Sequence, residues 1–330
     1  MEHLINGLVK KGHTVTMIGC PGSYLEGVKI VEYPDNVMEK EGQDRVEAAE
    51  SFITSYLDTT DSSSKINFDL IHNHMGGATA TKLVNSTSIP VVTTLHGQYV
   101  PNAFDEHTQS GSYVAISMDQ SHRYPQDTNI VGMVYNSIDF SKYLKFAQAR
   151  KFDYVTNINR YSPLDEKGFM PTLRIAEHLP SQLFILSMFV QPQFKNDELY
   201  HKIRDSANRL PNVVLLDGIT ECEKMQLVSR ARAFVFPLLW PEPFGLAPVE
   251  AQALGTIPIV YNNGSMSEVV SDGYSGYVIP KEASITEFAN KIKLGLDKID
   301  PMNCIKFVTE KFSISKMAEN YEEIYRKILG

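Results

Sequence analysis

Short runs of β-branched and aromatic residues recur along this chain, each followed by a longer segment compatible with a helix, and that alternation is what most limits its fold. It predicts parallel sheets covered by helices on both faces. Strands are expected at Thr14 to Cys20, Asp69 to His74, Val91 to His96, Tyr113 to Ser117 and Ile130 to Tyr135. A second series follows at Tyr154 to Asn159, Leu183 to Phe189, Val213 to Leu216, Ala233 to Pro237, Ile257 to Tyr261 and Gly276 to Ile279. Two series imply two Rossmann-like α/β domains, and 330 residues, 43% of them hydrophobic, supply apolar material for two cores.

The polar segment Ser141 to Phe152, rich in Lys and Gln, is the expected boundary, which divides the chain into domains over 1–145 and 146–312. The last stretch, 313–330, carries Met317, Tyr321, Ile324, Tyr325 and Ile328 at helical spacing and is expected to dock as an amphipathic helix able to bridge the domains. The sequence opens in an amphipathic helix (Leu4, Ile5, Leu8, Val9) that ends at Gly12. Doubly wound domains begin instead with a central strand and a turn, commonly glycine-rich, that faces the ligand. Neither is found here, so the N-terminal domain is expected to lack its first strand, through truncation or through a sheet completed in an unusual way.

A formal charge of −8 excludes the broad basic field that collects on nucleic acid, while a few local cations and amide dipoles still suffice for a phosphorylated small molecule. Cys20, Cys222 and Cys304 are far apart and lack CxxC spacing, so no metal site or disulfide framework is indicated and a reducing, cytoplasmic setting is expected. The longest apolar stretches, such as Leu183 to Val190, fall short of the ~18 to 20 residues that span a bilayer, which leaves room only for peripheral membrane contact.

The densest chemical signal is Pro241-Glu242-Pro243-Phe244-Gly245-Leu246-Ala247-Pro248-Val249-Glu250, set between an expected strand and an expected helix. Glycine lets a ligand approach the backbone closely, and free amides at the helix start, aided by its dipole, suit a diphosphate. Glu242 falls in the turn and Glu250 a turn or two into the helix, within reach of different parts of one ligand. The plainer alternative is a proline-stiffened loop with a helix-capping acid.

This stretch, followed by Glu250-Ala251-Gln252-Ala253-Leu254-Gly255-Thr256-Ile257 and by Gly264-Ser265-Met266-Ser267-Glu268, closely resembles the retaining nucleotide-sugar glycosyltransferases of family 4, which have the GT-B fold. Phe68-Asp69-Leu70-Ile71-His72-Asn73-His74, Val91 to Gly97, Ala115-Ile116-Ser117, Val134 to Asp139 and Asn159-Arg160-Tyr161-Ser162-Pro163 leading to Lys167-Gly168 extend the resemblance over nearly the whole chain. It implies two Rossmann-like domains facing a cleft, and transfer of a hexose from a UDP-, GDP- or ADP-linked donor to a glycan, lipid or small-molecule acceptor.

The resemblance also implies roles. Glu242 would contact the hydroxyls of the transferred sugar and Glu250 the nucleotide ribose. The backbone at Phe244, Gly245, Leu246 and Ala247 would meet the donor, Arg160 and Lys167 would neutralise its diphosphate, and Gly218, Ile219 and Thr220 would border the base. No metal and no cofactor beyond the donor are expected, because two cations can take up the charge that grows on the leaving group. His96 would orient the donor sugar or the acceptor, with Asn73 and His74 at a similar strand edge and His72 facing the other way. Retention in this family proceeds on one face of the sugar, so the two glutamates bind and orient rather than act as the paired acids of a glycosidase.

Three features depart from the family pattern: Leu164-Asp165 lengthens the spacing from Arg160 to Lys167, Asn159 replaces a glycine, and Ser137 replaces another. The missing first strand and glycine-rich turn weigh more than these, so two function classes stand, an active transferase and a nucleotide-sugar-binding protein that has lost turnover. A sugar-phosphate epimerase or a phosphorylase on the same fold fits the glutamate spacing and chain length less well.

Overall fold

Every strand expected from the sequence forms in the structure, a computed structural model that describes residues 1–63, 68–76, 83–99, 111–147 and 151–330, with backbone alone at 58–63. Residues 148–150 of the expected boundary segment lie outside the described residues. The chain folds as two units, Met1–Ser137 with Ile314–Gly330, and Ile138–Ser313.

In the first unit the helix Glu2–Lys10 leads into β1 (Val15–Gly19), which pairs in parallel with β2 (Val28–Glu32). A separate parallel sheet follows in the order β3 (Ile71–Asn73), β4 (Val91–Thr94), β5 (Ser112–Ala115) and β6 (Ile130–Met133). The unit thus opens with a helix, and no ladder joins β1 to β3 among the described residues. Leu4 and Leu8 of the first helix pack with Val92, Val114 and Val134 and with Met317, Tyr321 and Ile324 of the helix Ile314–Leu329. The two helices approach closely at Gly7, where an added Cβ would come within 2.8 Å of the Ala318 Cβ.

In the second unit one six-stranded parallel sheet runs in the order β12-β11-β10-β7-β8-β9, with β7 Tyr154–Arg160, β8 Leu183–Phe189, β9 Val213–Leu216, β10 Ala233–Phe236, β11 Ile257–Tyr261 and β12 Tyr277–Ile279. Buried Val155, Leu186, Val235 and Ile259 on the strands meet Phe169, Leu173, Ile203 and Phe288 on the covering helices. The strand order reverses between β7 and β10, and in such sheets ligands bind beyond the carboxyl ends of the strands at that reversal. Arg160 ends β7 and Phe236 ends β10, at that reversal.

Of the two residues that lengthen the Arg160–Lys167 segment, Asp165 has a structural role. Asp165 adopts a left-handed backbone (φ 50°), and its carboxylate accepts from the amides of Phe169 (2.7 Å) and Met170 (3.0 Å), capping the helix Phe169–His178. Deeper in the unit, the Lys151 ammonium donates to the Ser229 carbonyl (2.6 Å) and the Thr256 hydroxyl (3.1 Å), and burial pulls its pKa down to about 8.

Candidate functional site

At the carboxyl ends of β7 and β10 a cavity of about 250 Å3 is lined by Arg160, Lys167, Lys224, Glu242, Gly245, Leu246, Ala247 and Glu250, with Ile158, Asn159, Phe189 and Phe236. Seven of the residues singled out from the sequence motif and its upstream cations, Arg160, Lys167, Glu242, Gly245, Leu246, Ala247 and Glu250, therefore share one site, all within the second unit.

The helix Leu246–Ala253 begins at Gly245, which holds a left-handed backbone (φ 90°), and no side chain caps it. The first amides of a helix lack intrahelical acceptors, and the macrodipole places partial positive charge beside them. Phe244, expected to offer its backbone, is itself core: its side chain is 2% exposed and its ring meets Phe312 edge-on at 5.4 Å.

Gly264 fixes the loop before that helix. Its backbone bridges to Glu242, the Ser265 amide donates to the Glu242 carbonyl (2.9 Å), and the Ser265 hydroxyl donates to the Phe244 carbonyl (2.7 Å). Gly264 has φ 73°, and a Cβ there would lie 2.3 Å from both the nitrogen and the oxygen of Glu242. The Gly264-Ser265 motif is thus the seat on which the Glu242 loop rests.

The carboxylates in the cavity are paired internally. The Lys167 ammonium donates to the Glu242 carboxylate, and both side chains are 15% exposed. Glu250 accepts from the Tyr143 hydroxyl (3.0 Å) and from the Lys224 ammonium (3.1 Å). Arg160 makes no ion pair among the described residues and lines the cavity with its charge available. The site therefore presents an uncommitted guanidinium, an uncapped helix start and two carboxylates held by ammonium groups. Such a set suits a ligand with an anionic middle and hydroxylated ends.

Thr220 has a different occupation. Its hydroxyl and the Glu223 carboxylate form a reciprocal capping box at the start of the helix Glu221–Arg230, and neither Ile219 nor Thr220 lines the cavity. Lys224 and Tyr143 were not anticipated. Their only sequence signal is position: Lys224 lies one helical turn beyond Thr220, and Tyr143 falls inside the segment Ser141 to Phe152 expected to end the first domain.

In the first unit, Asn73, His74 and His96 lie at the carboxyl ends of β3 and β4. Nδ2 of buried Asn73 donates to the Gly76 carbonyl (3.0 Å) and the Thr93 hydroxyl (3.2 Å), while its Oδ1 accepts from the Met75 amide (2.9 Å), so this amide group shapes the turn after β3. His74 Nδ1 and His96 Nε2 share a hydrogen bond of 2.9 Å. His72 does not face away from His74: their ring centroids are 4.1 Å apart, as side chains two residues apart on one strand face must be. His72 bridges the Tyr325 hydroxyl and the Thr94 hydroxyl, each at 2.7 Å, and Thr94 meets Tyr321 at 2.8 Å, which ties the helix Ile314–Leu329 to β3 and β4.

Burial, followed by the neighbouring histidines, pushes the His72 pKa well below 6.5 and that of His74 to about 3. On unfolding both regain ordinary values, so below pH 6.5 the unfolded chain binds more protons than the folded one. Their contribution to stability is full above pH 6.5 and is lost as pH falls below it, for His74 down to about 3. Thermal unfolding is expected to shift down between pH 7.5 and 5 by up to about 1.4 kcal/mol per pH unit for each proton taken up, and His74→Gln should flatten that dependence. An equal slope in the variant would refute the assignment.

Two parallel-sheet α/β units place the chain in the GT-B class of glycosyltransferase folds. Residues 172–308 match the family described as glycosyl transferases group 1. The chain is 23% identical to a glycogen synthase of Pseudomonas syringae pv. tomato over 170 residues, which is 50% of this chain and 34% of that protein. The chain thus spans about a third of the length of that curated relative. Among solved structures it resembles AviGT4, a glycosyltransferase involved in avilamycin A biosynthesis, with TM-score 0.70 and 19% identity over 99% of this chain and 88% of the other. It also resembles Anabaena HepE in complex with UDP, with TM-score 0.71 and 15% identity over 96% of this chain and 100% of the other.

Proposed function

We propose that this protein is a retaining glycosyltransferase that moves a hexose from a nucleoside diphosphate sugar to an acceptor bearing a hydroxyl group. The observation that carries the reading is the cavity that collects Arg160, Lys167, the uncapped start of the helix Leu246–Ala253, Glu242 and Glu250. The diphosphate would lie against the amides of Gly245, Leu246 and Ala247, with Arg160 and Lys167 balancing the charge that grows as the glycosidic bond breaks. Glu242 would orient the sugar and Glu250 the ribose. HepE was solved with UDP, which favours a uridine donor as the first to try. His96, with His74 and Asn73 beside it, is assigned to the sugar and acceptor side.

The Lys167–Glu242 pair favours a second reading, a binding protein without turnover, because a cation engaged by a carboxylate is less free to meet a diphosphate. Calorimetry and donor hydrolysis separate the two. Glu250→Ala should weaken nucleoside diphosphate binding by roughly ten-fold or more, whereas Glu242→Ala should leave binding nearly unchanged and depress turnover. Unchanged affinity and rate in both variants would overturn the proposal, and tight binding with no turnover of any donor would establish the second reading.

A further inference from the structure

The proposed role of Glu250 requires a carboxylate that is ionised, fixed in direction and still able to accept hydrogen bonds. A freely rotating glutamate at a cavity wall meets none of these needs dependably, since its side chain loses conformational freedom each time it engages a ligand. In this protein Glu250 does not rotate freely. Oε1 accepts from the Tyr143 hydroxyl at 3.0 Å, and Oε2 accepts from the Lys224 ammonium at 3.1 Å. Each oxygen has a different partner, so the plane of the carboxylate is set.

Both partners are held in turn. Lys224 donates also to Glu221 at 2.7 Å, one helical turn earlier on Glu221–Arg230. Tyr143 is 7% exposed and sits on the short helix Phe140–Leu144, which packs against the helix bearing Glu250. Burial pulls the Lys224 pKa down, but the Glu250 and Glu221 carboxylates outweigh it and leave the pKa above the ordinary lysine value. Burial, then the charge of Glu250, pushes the Tyr143 phenol upward, so it stays a donor. Both contacts therefore suit an ionised Glu250.

An ionised carboxylate accepts about four hydrogen bonds, two on each oxygen. Tyr143 and Lys224 take one on each, which leaves one acceptor direction per oxygen. Two adjacent acceptors of this kind match the two adjacent hydroxyls of a ribose.

We infer that Tyr143 and Lys224 are positioning residues that lock the Glu250 carboxylate for bidentate recognition of a cis-diol, and so make the site selective for ribonucleoside diphosphates over those lacking the 2′ and 3′ hydroxyls. The inference rests on the proposed role of Glu250 at the ribose. Lys224 has the additional effect of cancelling a negative charge close to the expected diphosphate, and its loss should be felt by every nucleotide. Tyr143 is neutral, and its loss should be felt through the diol alone.

The test is calorimetric titration of the full chain with UDP, GDP and ADP and, for whichever binds tightest, with its 2′,3′-dideoxy counterpart. The proteins compared are the unmodified chain, Glu250→Ala, Tyr143→Phe, Lys224→Met and Lys224→Arg, with thermal unfolding recorded for each. The unmodified chain should favour the ribonucleotide by roughly ten-fold or more. Tyr143→Phe should lose most of that preference with its dideoxynucleotide affinity unchanged and its melting temperature lowered by no more than the loss of one hydrogen bond. Lys224→Met should lose the preference and weaken both ligands, and Lys224→Arg should restore part of each. A melting temperature lowered by a variant would not by itself move the ratio of the two affinities, so the ratio reads positioning rather than stability.

No preference in the unmodified chain, or a preference that survives Glu250→Ala, would remove the role of Glu250 and the inference with it. A preference abolished by Glu250→Ala but intact in Tyr143→Phe and Lys224→Met would leave the role of Glu250 standing and overturn the inference alone.

Discussion

Gly264→Ala is expected to cost about 2 to 5 kcal/mol of stability and to displace the Glu242 loop, because two separate penalties fall on one atom. The backbone at φ 73° is one that L side chains rarely adopt, and the new Cβ would lie 2.3 Å from the nitrogen and oxygen of Glu242. The Glu242 carbonyl oxygen cannot yield without disturbing the hydrogen bonds that it accepts from the Ser265 amide and hydroxyl. Gly273→Ala isolates the first penalty, since Gly273 has φ 72° and nothing within 4 Å of where its Cβ would stand. Urea unfolding of both variants measures the difference. A Gly264→Ala protein no less stable than Gly273→Ala would mean that Gly264 does not seat the loop.

Lys167→Met is expected to lower turnover about 10² to 10³-fold with a much smaller effect on donor affinity. An ammonium aimed at a leaving diphosphate acts mainly as charge develops, and the substitution also leaves Glu242 unpaired in a half-enclosed cavity. The second effect makes Lys167→Met and Glu242→Gln non-additive: the double variant should be less impaired than the product of the single effects. Steady-state donor hydrolysis for the four proteins of that cycle gives the coupling. Strict additivity would show that the Lys167–Glu242 pair has no bearing on turnover.

The strands were legible because parallel strands covered on both faces read as continuous apolar runs. All four residues of β4 and of β10 are buried, and so are all five of β11. β2 escaped notice for the converse reason: Lys29 and Glu32 are exposed, so Val28–Glu32 carries neither a full apolar run nor a long alternation. The motif from Pro241 to Glu250 was legible as a strand, a turn and a helix start, because proline and glycine mark those positions by their backbone limits.

What joins distant segments was not legible. The contact of Gly264 with Glu242, the ion pair of Lys167 with Glu242 and the hydrogen bond of Tyr143 to Glu250 each link residues that no local periodicity relates. Tyr143 is the sharpest case. It lies within the segment Ser141 to Phe152 that the sequence marks as a boundary, while the fold places it in the second unit against the helix that carries Glu250. The same holds for His72, whose partners Tyr321 and Tyr325 come from the last helix of the chain.

Among the described residues no helix is long and apolar enough to cross a membrane, and the site has the dimensions of a small-molecule pocket in the second unit. Its chemistry depends on where the anionic part of the ligand rests. A crystal structure of the protein with UDP, or with GDP or ADP if either binds more tightly, addresses this directly. The diphosphate oxygens should lie within hydrogen-bond distance of the Gly245, Leu246 and Ala247 amides and beside Arg160. A nucleotide bound with its phosphates elsewhere, leaving that helix start unoccupied, would contradict the account.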